Sequence, residues 1–275
     1  MGAEAARRVL AKRPVGEPGI QADSGCRDYD AFMFFPGARG IFAAAAIIAM
    51  AAAAWPEGDA TAPGSQLSAA QIVEQMQLHD QARAQELKHY HALRHYQVEY
   101  HGYSATVAAS MAVEVNYDIA TGKSFQIVSQ SGPKFLVEKV LKRAVESEKE
   151  ASEDRDATAL TPANYRFHLA GSELIGSRPA YILDVEPLVP SKFLYRGRIW
   201  VDAAEFSVVK METQPSKSPS FWISRTLIEC TNTKTDGFWL PEKVRSETSV
   251  RVGGAAVLTI DYGSYQIAAN SAPGR

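Results

Sequence analysis

The stretch from 193 to 223 constrains the fold most, because apolar and polar residues alternate along it with the period of a β-strand. Two runs rich in aromatic and β-branched residues, Phe193–Asp202 and Phe206–Thr213, are separated by a short polar turn. One apolar face is predicted to carry Ile199, Val201, Val209 and Met211. The stretch therefore predicts the centre of an antiparallel sheet with one apolar face that another element must cover.

Two helices are predicted beside this sheet. Ser68 is a suitable N-cap for the first, which precedes all the strands and runs to about Lys88. The second follows Pro133, after the third strand, and residues 147–156 after it are predicted to form a charged, mobile connector. Its apolar stripe consists of Leu136, Val137, Val140, Leu141, Ala144 and Val145.

The strand-like runs number about ten, and two of them show clear turn chemistry. Asp236-Gly237 predicts a tight turn between two long strands, and Pro241 is expected at the beginning of a strand or at a bulge. Open sheets of this width tend to curl, so one helix would cover only part of the apolar face. The predicted fold class is α+β, with a strongly curved antiparallel sheet, one helix before it and a lid helix between strands 3 and 4.

An uncharged apolar run at 41–54 follows Arg39 and ends in small residues. A short positive region, an apolar core and an Ala-x-Ala exit are typical of a secretory signal peptide, predicted here at about 33–54. Either Met1 or Met33 is the start, and cleavage is expected after Ala54 or, alternatively, after Ala62. A buried helix or an uncleaved anchor remains the alternative interpretation of this run.

Composition divides the chain into three predicted segments. Residues 1–66 are predicted to be disordered apart from the signal peptide, 67–268 to form one domain, and 269–275 to be a disordered tail. The chain has 275 residues and a formal charge of −2, which argues against a nucleic-acid-binding protein.

No nucleophile elbow, phosphate-binding loop, HExxH sequence or paired-cysteine metal motif occurs in the sequence. The remaining candidate for chemistry is a group of histidines: His79, His89, His91, His95 and His101. A His-x-His pair supplies two metal ligands, so a metal-binding protein or enzyme is one hypothesis. The other is that these histidines face solvent at the junction between the first helix and the first strand.

Three segments carry a resemblance to a known family. Tyr195-Arg-Gly-Arg-Ile-Trp-Val-Asp, Phe206-Ser-Val-Val-Lys-Met-Glu and Phe238-Trp-Leu-Pro closely resemble outer-membrane lipoprotein-sorting proteins of the LolA-like superfamily. The order of helices and strands and the segment Thr161-Pro-Ala-Asn-Tyr-Arg-Phe agree with it. The resemblance extends from Leu67 to about Ile267.

The resemblance implies an incomplete, strongly bent barrel whose concave apolar face is shielded by helices. It also implies a soluble periplasmic carrier that holds the acyl chains of lipoproteins or other lipids, without a cofactor or bond-making chemistry. An inner-membrane donor and an outer-membrane acceptor are the implied partners, and a monomer is expected. The alternative within this fold is a lipid-sensing regulator of envelope stress.

The predicted ligand-binding residues are the apolar side chains expected on the concave face and on the inner side of the lid. They are Val113, Val115, Phe125, Ile127, Val137, Leu141, Ile199, Val201, Val209 and Met211. Parity alone assigns them to that face, and a register shift of one residue would exchange them for their neighbours.

Overall fold

The computed structural model describes residues 67–267, except for 154, 192, 218–222 and 252. The predictions for the N-terminal 66 residues, including the signal peptide, and for the C-terminal tail therefore lie outside the described residues.

Ten strands form one antiparallel sheet that does not close, and the predicted fold class is confirmed. The strands are β1 His89–His101, β2 Thr106–Asp118, β3 Gly122–Ser131, β4 Tyr165–Ile175, β5 Arg178–Pro187, β6 Tyr195–Asp202, β7 Val208–Pro215, β8 Ile223–Thr235, β9 Phe238–Val250 and β10 Gly254–Ile267. Their order across the sheet is β3-β2-β1-β10-β9-β8-β7-β6-β5-β4, so β3 and β4 are the two edges.

The helical segments are α1 Ala69–Glu86, α2 Lys134–Leu136, a π-helical turn Val137–Leu141, α3 Lys142–Glu153 and α4 Arg155–Thr158. We call α2, the π-helical turn and α3 together the lid. It lies between β3 and β4 in the chain, and its π-helical turn contacts β1 and β2, while α3 contacts β3.

Local sequence signals account for several element ends. Ser68 caps α1 as predicted, and a capping box forms because the Gln71 side chain accepts a hydrogen bond from the Ser68 backbone N–H at 2.9 Å. Asp236 and Gly237 both have positive φ, at 49° and 91°, as a tight hairpin turn requires. Pro241 lies at a bulge between β8 and β9, one of the two positions predicted for it.

The prediction for residues 147–156 is wrong. The lid continues as helix α3 to Glu153, and Arg155–Thr158 is helical as well. Ala151 and the carboxylate-bearing Glu148 are buried there. Packing of one helix face against the sheet therefore outweighs the high charge of this segment.

The sheet has two faces with different contents. On the inner face, one apolar cluster joins residues of α1, the lid and most of the strands. α1 leads directly into β1 yet contacts β4 at the far edge of the sheet. The sheet must therefore bend around its inner face, as sheets this wide tend to do.

Gly197, on β6, lies close to the backbone of β7. Its φ is 144°, and a Cβ at this position would lie 2.3 Å from the backbone oxygen of Glu212 on β7. A side chain at this position of β6 is therefore excluded by the backbone of β7.

Candidate functional site

Eight of the ten predicted ligand-binding residues belong to the inner-face cluster or pack against it. They are Val113, Val115, Phe125, Val137, Leu141, Ile199, Val201 and Met211. The structure therefore brings residues from β2, β3, β6, β7 and the lid onto one continuous apolar surface.

The other two residues lie elsewhere. Val209 belongs to a second cluster with Trp200 and Trp239, on the outer face, and does not share a face with Met211. The pairing of β6 with β7 shifts between Trp200 and Val201, and this bulge turns Val209 to the other side. Ile127 is 40 % exposed, on the edge strand β3.

The lid closes the inner face with apolar side chains. Leu136, Val137, Leu141 and Ala144 are all buried in the inner-face cluster. In the middle of the lid, the backbone N–H of Lys142 donates to the carbonyl oxygen of Val137, the i to i−5 bond of a π-helix. Irregular turns of this kind are common at functional sites.

An ion pair buried beneath the lid connects it to the sheet. Nη1 of Arg94, on β1, donates to Oε1 of Glu148, on α3, and both side chains are almost fully inaccessible. Tyr96 donates from its hydroxyl to the other carboxylate oxygen at 3.1 Å. Among the described residues, the one buried arginine and the one buried glutamate thus join a sheet strand to the lid.

The interior around this pair changes the acidity of its groups. Burial alone would lower the pKa of Arg94, but the negative charge of Glu148 together with the electrostatic effect of Tyr262, Tyr96 and Tyr90 outweighs it, and the pKa is raised above its usual value. Burial and Glu148 both raise the pKa of Tyr96. The Arg94 guanidinium carbon also lies 4.5 Å from the ring centroid of Tyr262, a cation–π contact. Arg94 therefore stays charged inside the protein.

Sequence reasoning missed this pair, although two signals were present. Arg94 has the same parity as the inward-facing Tyr96 and Val98 on β1. Glu148 follows Leu141 by seven residues and Ala144 by four, so it extends the apolar stripe of the lid. A charged residue on the buried side of each element indicates a buried partner, but not which one.

The histidines do not form a metal site within the described part of the chain. No group of three His, Cys, Asp or Glu side chains is placed there to hold a metal ion. His79 packs on the ring of Phe206, with centroids 5.5 Å apart, and Nδ1 of His89 lies 3.0 Å from the Asp118 carboxylate. His101 contacts the hydroxyl of Thr106 at 3.1 Å. These three histidines thus have separate neighbours.

The outer face carries a second polar network at the β6–β7 turn. Nε of Arg178 donates to Asp202 at 2.6 Å, and its Nη2 donates to Glu205 at 2.7 Å. Glu205 also accepts from Nε1 of Trp239 at 2.9 Å and from Nζ of Lys234 at 2.9 Å. This network contacts the outer apolar cluster at Trp239 and is partly exposed to water.

This turn also reaches α1. Nη1 of Arg83 donates to the backbone oxygen of Glu205 at 3.1 Å. Phe206 has a φ of 51°, unusual for a bulky residue, and its ring packs against Tyr181 and His79. The turn therefore fastens the first helix to the end of the sheet.

Three grooves lined by described residues lie away from the predicted ligand-binding residues. One contains His89, His91 and Asp118, the second contains Arg166, His168 and Arg198, and the third contains Ser216 and Arg225. None of the ten predicted residues lines these three grooves. Within the described residues, no helix is both long and apolar enough to cross a bilayer.

Comparison with known proteins finds similar structures at low sequence identity. No protein-family model and no curated protein sequence matches the chain. A putative outer membrane lipoprotein-sorting protein domain from Vibrio parahaemolyticus is 12 % identical, with 74 % of this chain and 93 % of that chain covered and a TM-score of 0.39. A DUF1329 family protein from Desulfovibrio piger is 12 % identical over 74 % and 95 %, with a TM-score of 0.41.

A LolA superfamily protein from Nitrosomonas europaea is 11 % identical, with 74 % of this chain and 95 % of that chain covered and a TM-score of 0.34. At such identities the likeness concerns the fold alone.

Proposed function

We propose that the protein is a soluble periplasmic carrier that shelters the acyl chains of lipoproteins or other lipids between its sheet and its lid. It would be exported by a signal peptide at about 33–54 and act as a monomer between an inner-membrane donor and an outer-membrane acceptor. It would use no cofactor and catalyse no reaction. The observation that carries the proposal is an apolar interior covered by a helical element that a buried ion pair ties to the sheet.

The first support is the size and continuity of the apolar interior. Burial of each CH₂ group of an acyl chain is favourable by about 0.8 kcal/mol, so a longer continuous apolar surface holds a chain more firmly. Val113, Val115, Ile199 and Val201 are fully buried and belong to one cluster. In this closed form the lid occupies the inner face, and displacement of the lid would expose the surface for a ligand.

The second support is the chemistry of the tie between lid and sheet. A buried ion pair is a poor source of stability, since removing two charges from water costs roughly what their attraction returns. Apolar residues in place of Arg94 and Glu148 would seal the lid more firmly. A charged pair lets water replace both partners when the lid opens, which favours a cover that opens and closes. Tyr96 would hold the carboxylate in place in the closed form.

The third support is the resemblance of Tyr195–Asp202 and Phe238–Pro241 to LolA-like proteins. This family holds lipoprotein acyl chains under helices in the same kind of half-barrel. Nine of the ten residues named from the sequence remain proposed contacts for such a ligand, with Ile127 at the open edge of the sheet. Val209 lies on the outer side of the sheet and does not face the proposed ligand.

Native mass spectrometry of protein purified from the periplasm tests whether lipid co-purifies. Binding of a fluorescent fatty acid is then compared between the parent and the double variant Val137→Asp/Leu141→Asp, which places two charges on the inner side of the lid. We expect binding to be lost while the circular dichroism spectrum is retained.

The control is Lys139→Asp/Arg143→Asp, which places two aspartates on the exposed side of the lid, where they replace two basic residues. Its binding should equal that of the parent. Unchanged binding by a folded Val137→Asp/Leu141→Asp variant would contradict the proposed role of the lid, and absence of any bound lipid or fatty acid would contradict the carrier function.

A further inference from the structure

Several connections between strands meet at one end of the sheet, which we call the upper rim. Its described residues are 102–105, 132–133, 188–191, 193–194, 216–217, 251 and 253. The pairing of the strand ends orders these connections along the rim. His101 is opposite Ala255, Gly254 and Ile223 are both opposite Val250, and Tyr195 is opposite Pro215. The lid also begins here, directly after Pro133.

Large apolar side chains project into water from this rim. Tyr103, in the β1–β2 turn, is 86 % exposed, and Val189, in the β5–β6 connection, is 70 % exposed. Phe135, in the first turn of the lid, is 54 % exposed, and Leu188 is exposed as well. Tyr103 and Phe135 lie at the adjoining β1–β2 and β3–lid connections, and Leu188 and Val189 lie together on the β5–β6 connection. The rim thus carries two exposed apolar pairs, whereas single exposed apolar residues are ordinary on a protein surface.

Hydrogen bonds hold this part of the rim in a defined position. The backbone N–H of Ser216 donates to the carbonyl oxygen of Leu194 at 2.8 Å, and its hydroxyl donates to the carbonyl oxygen of Ser191 at 3.0 Å. The backbone N–H of Leu188 donates to the carbonyl oxygen of Asn164 at 2.8 Å. The β5–β6 connection is therefore fixed at both ends, and Val189 is displayed between them.

The charges of the upper rim have one sign. Its described residues, together with the first two residues of the lid, include three exposed basic side chains, Lys134, Lys217 and Arg251, and no Asp or Glu. The four strand-to-strand turns at the opposite end carry Glu205 and Asp236 and no basic residue among their described residues. The chain as a whole has a formal charge of −2, so the basic rim is a local feature.

Three carboxylates on neighbouring elements have other contacts, and a fourth, Glu186 near the end of β5, is exposed and opposite Arg166 on β4. Glu138, in the lid, accepts a hydrogen bond from Nζ of Lys142 at 2.8 Å. Glu247, near the end of β9, is paired with Arg245, and Glu99, near the end of β1, lies 3.6 Å from Nε2 of His101. None of these contacts involves Lys134 or Lys217.

We propose that the upper rim docks on the surface of a bilayer that contains anionic lipids. Exposed aromatic and aliphatic side chains beside lysine and arginine match the interfacial region, where apolar groups enter the headgroup boundary and cations meet lipid phosphates. An acidic protein surface would complement the cations, but it would leave Tyr103 and Val189 without an apolar phase. The inference rests on the proposed carrier function and deepens it, since docking places the start of the lid against the membrane from which an acyl chain would enter.

Vesicle flotation tests the proposal on protein purified from the periplasm after expression of the full chain. Vesicles of phosphatidylcholine alone are compared with vesicles that contain about one third phosphatidylglycerol. We expect binding to the anionic vesicles that weakens as the salt concentration rises from about 0.1 to about 0.5 M, because salt screens surface charges. The variant Lys134→Glu/Lys217→Glu should bind the anionic vesicles at least about tenfold more weakly than the parent, because each cation near an anionic surface contributes severalfold to binding.

A second variant, Tyr103→Ser/Val189→Asp, removes the apolar contacts and should also lose binding. The matched control is Leu174→Asp, which changes a residue that is 66 % exposed at the opposite end of the sheet, and it should bind as the parent does. The proposal is overturned if the parent does not float with anionic vesicles, or if Leu174→Asp lowers binding as much as the rim variants.

Fatty-acid binding in solution, measured on the same variants, separates this proposal from the carrier function. Rim variants that bind the fatty acid normally but fail to float support docking by the rim. A parent protein that floats with anionic vesicles but binds no fatty acid would contradict the carrier function alone. A parent that binds fatty acid and does not float would contradict only the docking surface.

Discussion

The protein contains two arginine–carboxylate networks, one under the lid and one on the outer face, and they differ in access to water. Arg94 and Glu148 are almost fully inaccessible and join elements 54 residues apart in the chain. Arg178 is 42 % accessible and contacts two carboxylates on the neighbouring β6–β7 turn. The same chemical groups thus serve two purposes: the inner pair sets the position of a cover, and the outer network fastens the end of the sheet.

The energetic consequences differ in the same way. Loss of one partner of a buried pair leaves an uncompensated charge in the interior, which costs about 3–5 kcal/mol. Exposed ion pairs contribute about 0–1 kcal/mol each, because water and salt already screen the charges. The comparison predicts that changes in the inner pair affect the whole fold, while changes in the outer network have local effects.

The largest effect is expected from Glu148→Ala, which leaves the Arg94 charge buried beneath the lid. The free energy of unfolding should fall by about 3–5 kcal/mol, measured by urea denaturation. Glu146→Ala, on the exposed side of the same helix, should change it by less than about 1 kcal/mol. Equal effects of the two variants would show that the inner pair is not the important contact.

The double variant Arg94→Met/Glu148→Leu sharpens the comparison by replacing the pair with apolar groups. Since both charges are then absent, stability should match the parent or exceed it by about 1–4 kcal/mol. If the pair allows the lid to open, fatty-acid exchange should become slower, which stopped-flow fluorescence would measure. Exchange at the parental rate would argue against a role for the pair in opening.

An intermediate effect is expected from Asp202→Ala, because this carboxylate is inaccessible although its partner is not. It accepts from the backbone N–H groups of Ala204 at 3.0 Å and Glu205 at 2.8 Å, and from Arg178. Loss of the acceptor should cost about 1–3 kcal/mol in urea denaturation, without a change in fatty-acid binding. A loss of binding would show that the two networks are coupled.

The smallest effect is a pH dependence of the outer network. Burial alone would raise the pKa of Asp202, but hydrogen bonds from Arg178 and the backbone outweigh burial and lower this pKa. Burial would also raise the pKa of Glu205, but hydrogen bonds from Lys234, Trp239 and Arg178 lower it. A carboxylate with a lowered pKa in the folded state stabilises the fold above its unfolded pKa, and this stabilisation is lost as the pH falls through its folded pKa.

Stability should therefore be retained from neutral pH to about 5 and decrease in more acidic solution. The variant Asp202→Asn/Glu205→Gln should show a smaller decrease, measured as the urea midpoint against pH. An identical decrease in the parent and the variant would assign the acid sensitivity to other carboxylates.

Local rules predicted the elements of this fold better than the site within it. Ser68, Asp236 and Pro241 act through their own backbones or immediate neighbours, so their roles follow from sequence alone. The charge density of residues 147–156 concealed a helix, because that helix depends on packing against distant strands.

The site depends on relations that local rules do not contain. Glu148 contacts Arg94 only when the lid packs on the sheet, and neither segment contains a sequence signal that identifies the other as its partner. Val209 is turned to the outer face by a single bulge, because one extra residue in a strand reverses the parity of the residues after it. The apolar residues of the interior were predictable from alternation, whereas their polar tie and the bulge required the three-dimensional structure.

The π-helical turn at Val137–Leu141 contains one residue more than a turn of regular α-helix. A regular α-helix without that residue would keep both ends of the lid facing inward. Shortening the chain by deletion of Lys139 should therefore leave Leu136 and Glu148 on the same side while it converts the turn into ordinary α-helix. An insertion at the same place would rotate α3 by about 100° and carry Glu148 away from Arg94. The cover is thus built to tolerate contraction and not extension, and a naturally shorter lid would be expected to seal the same interior.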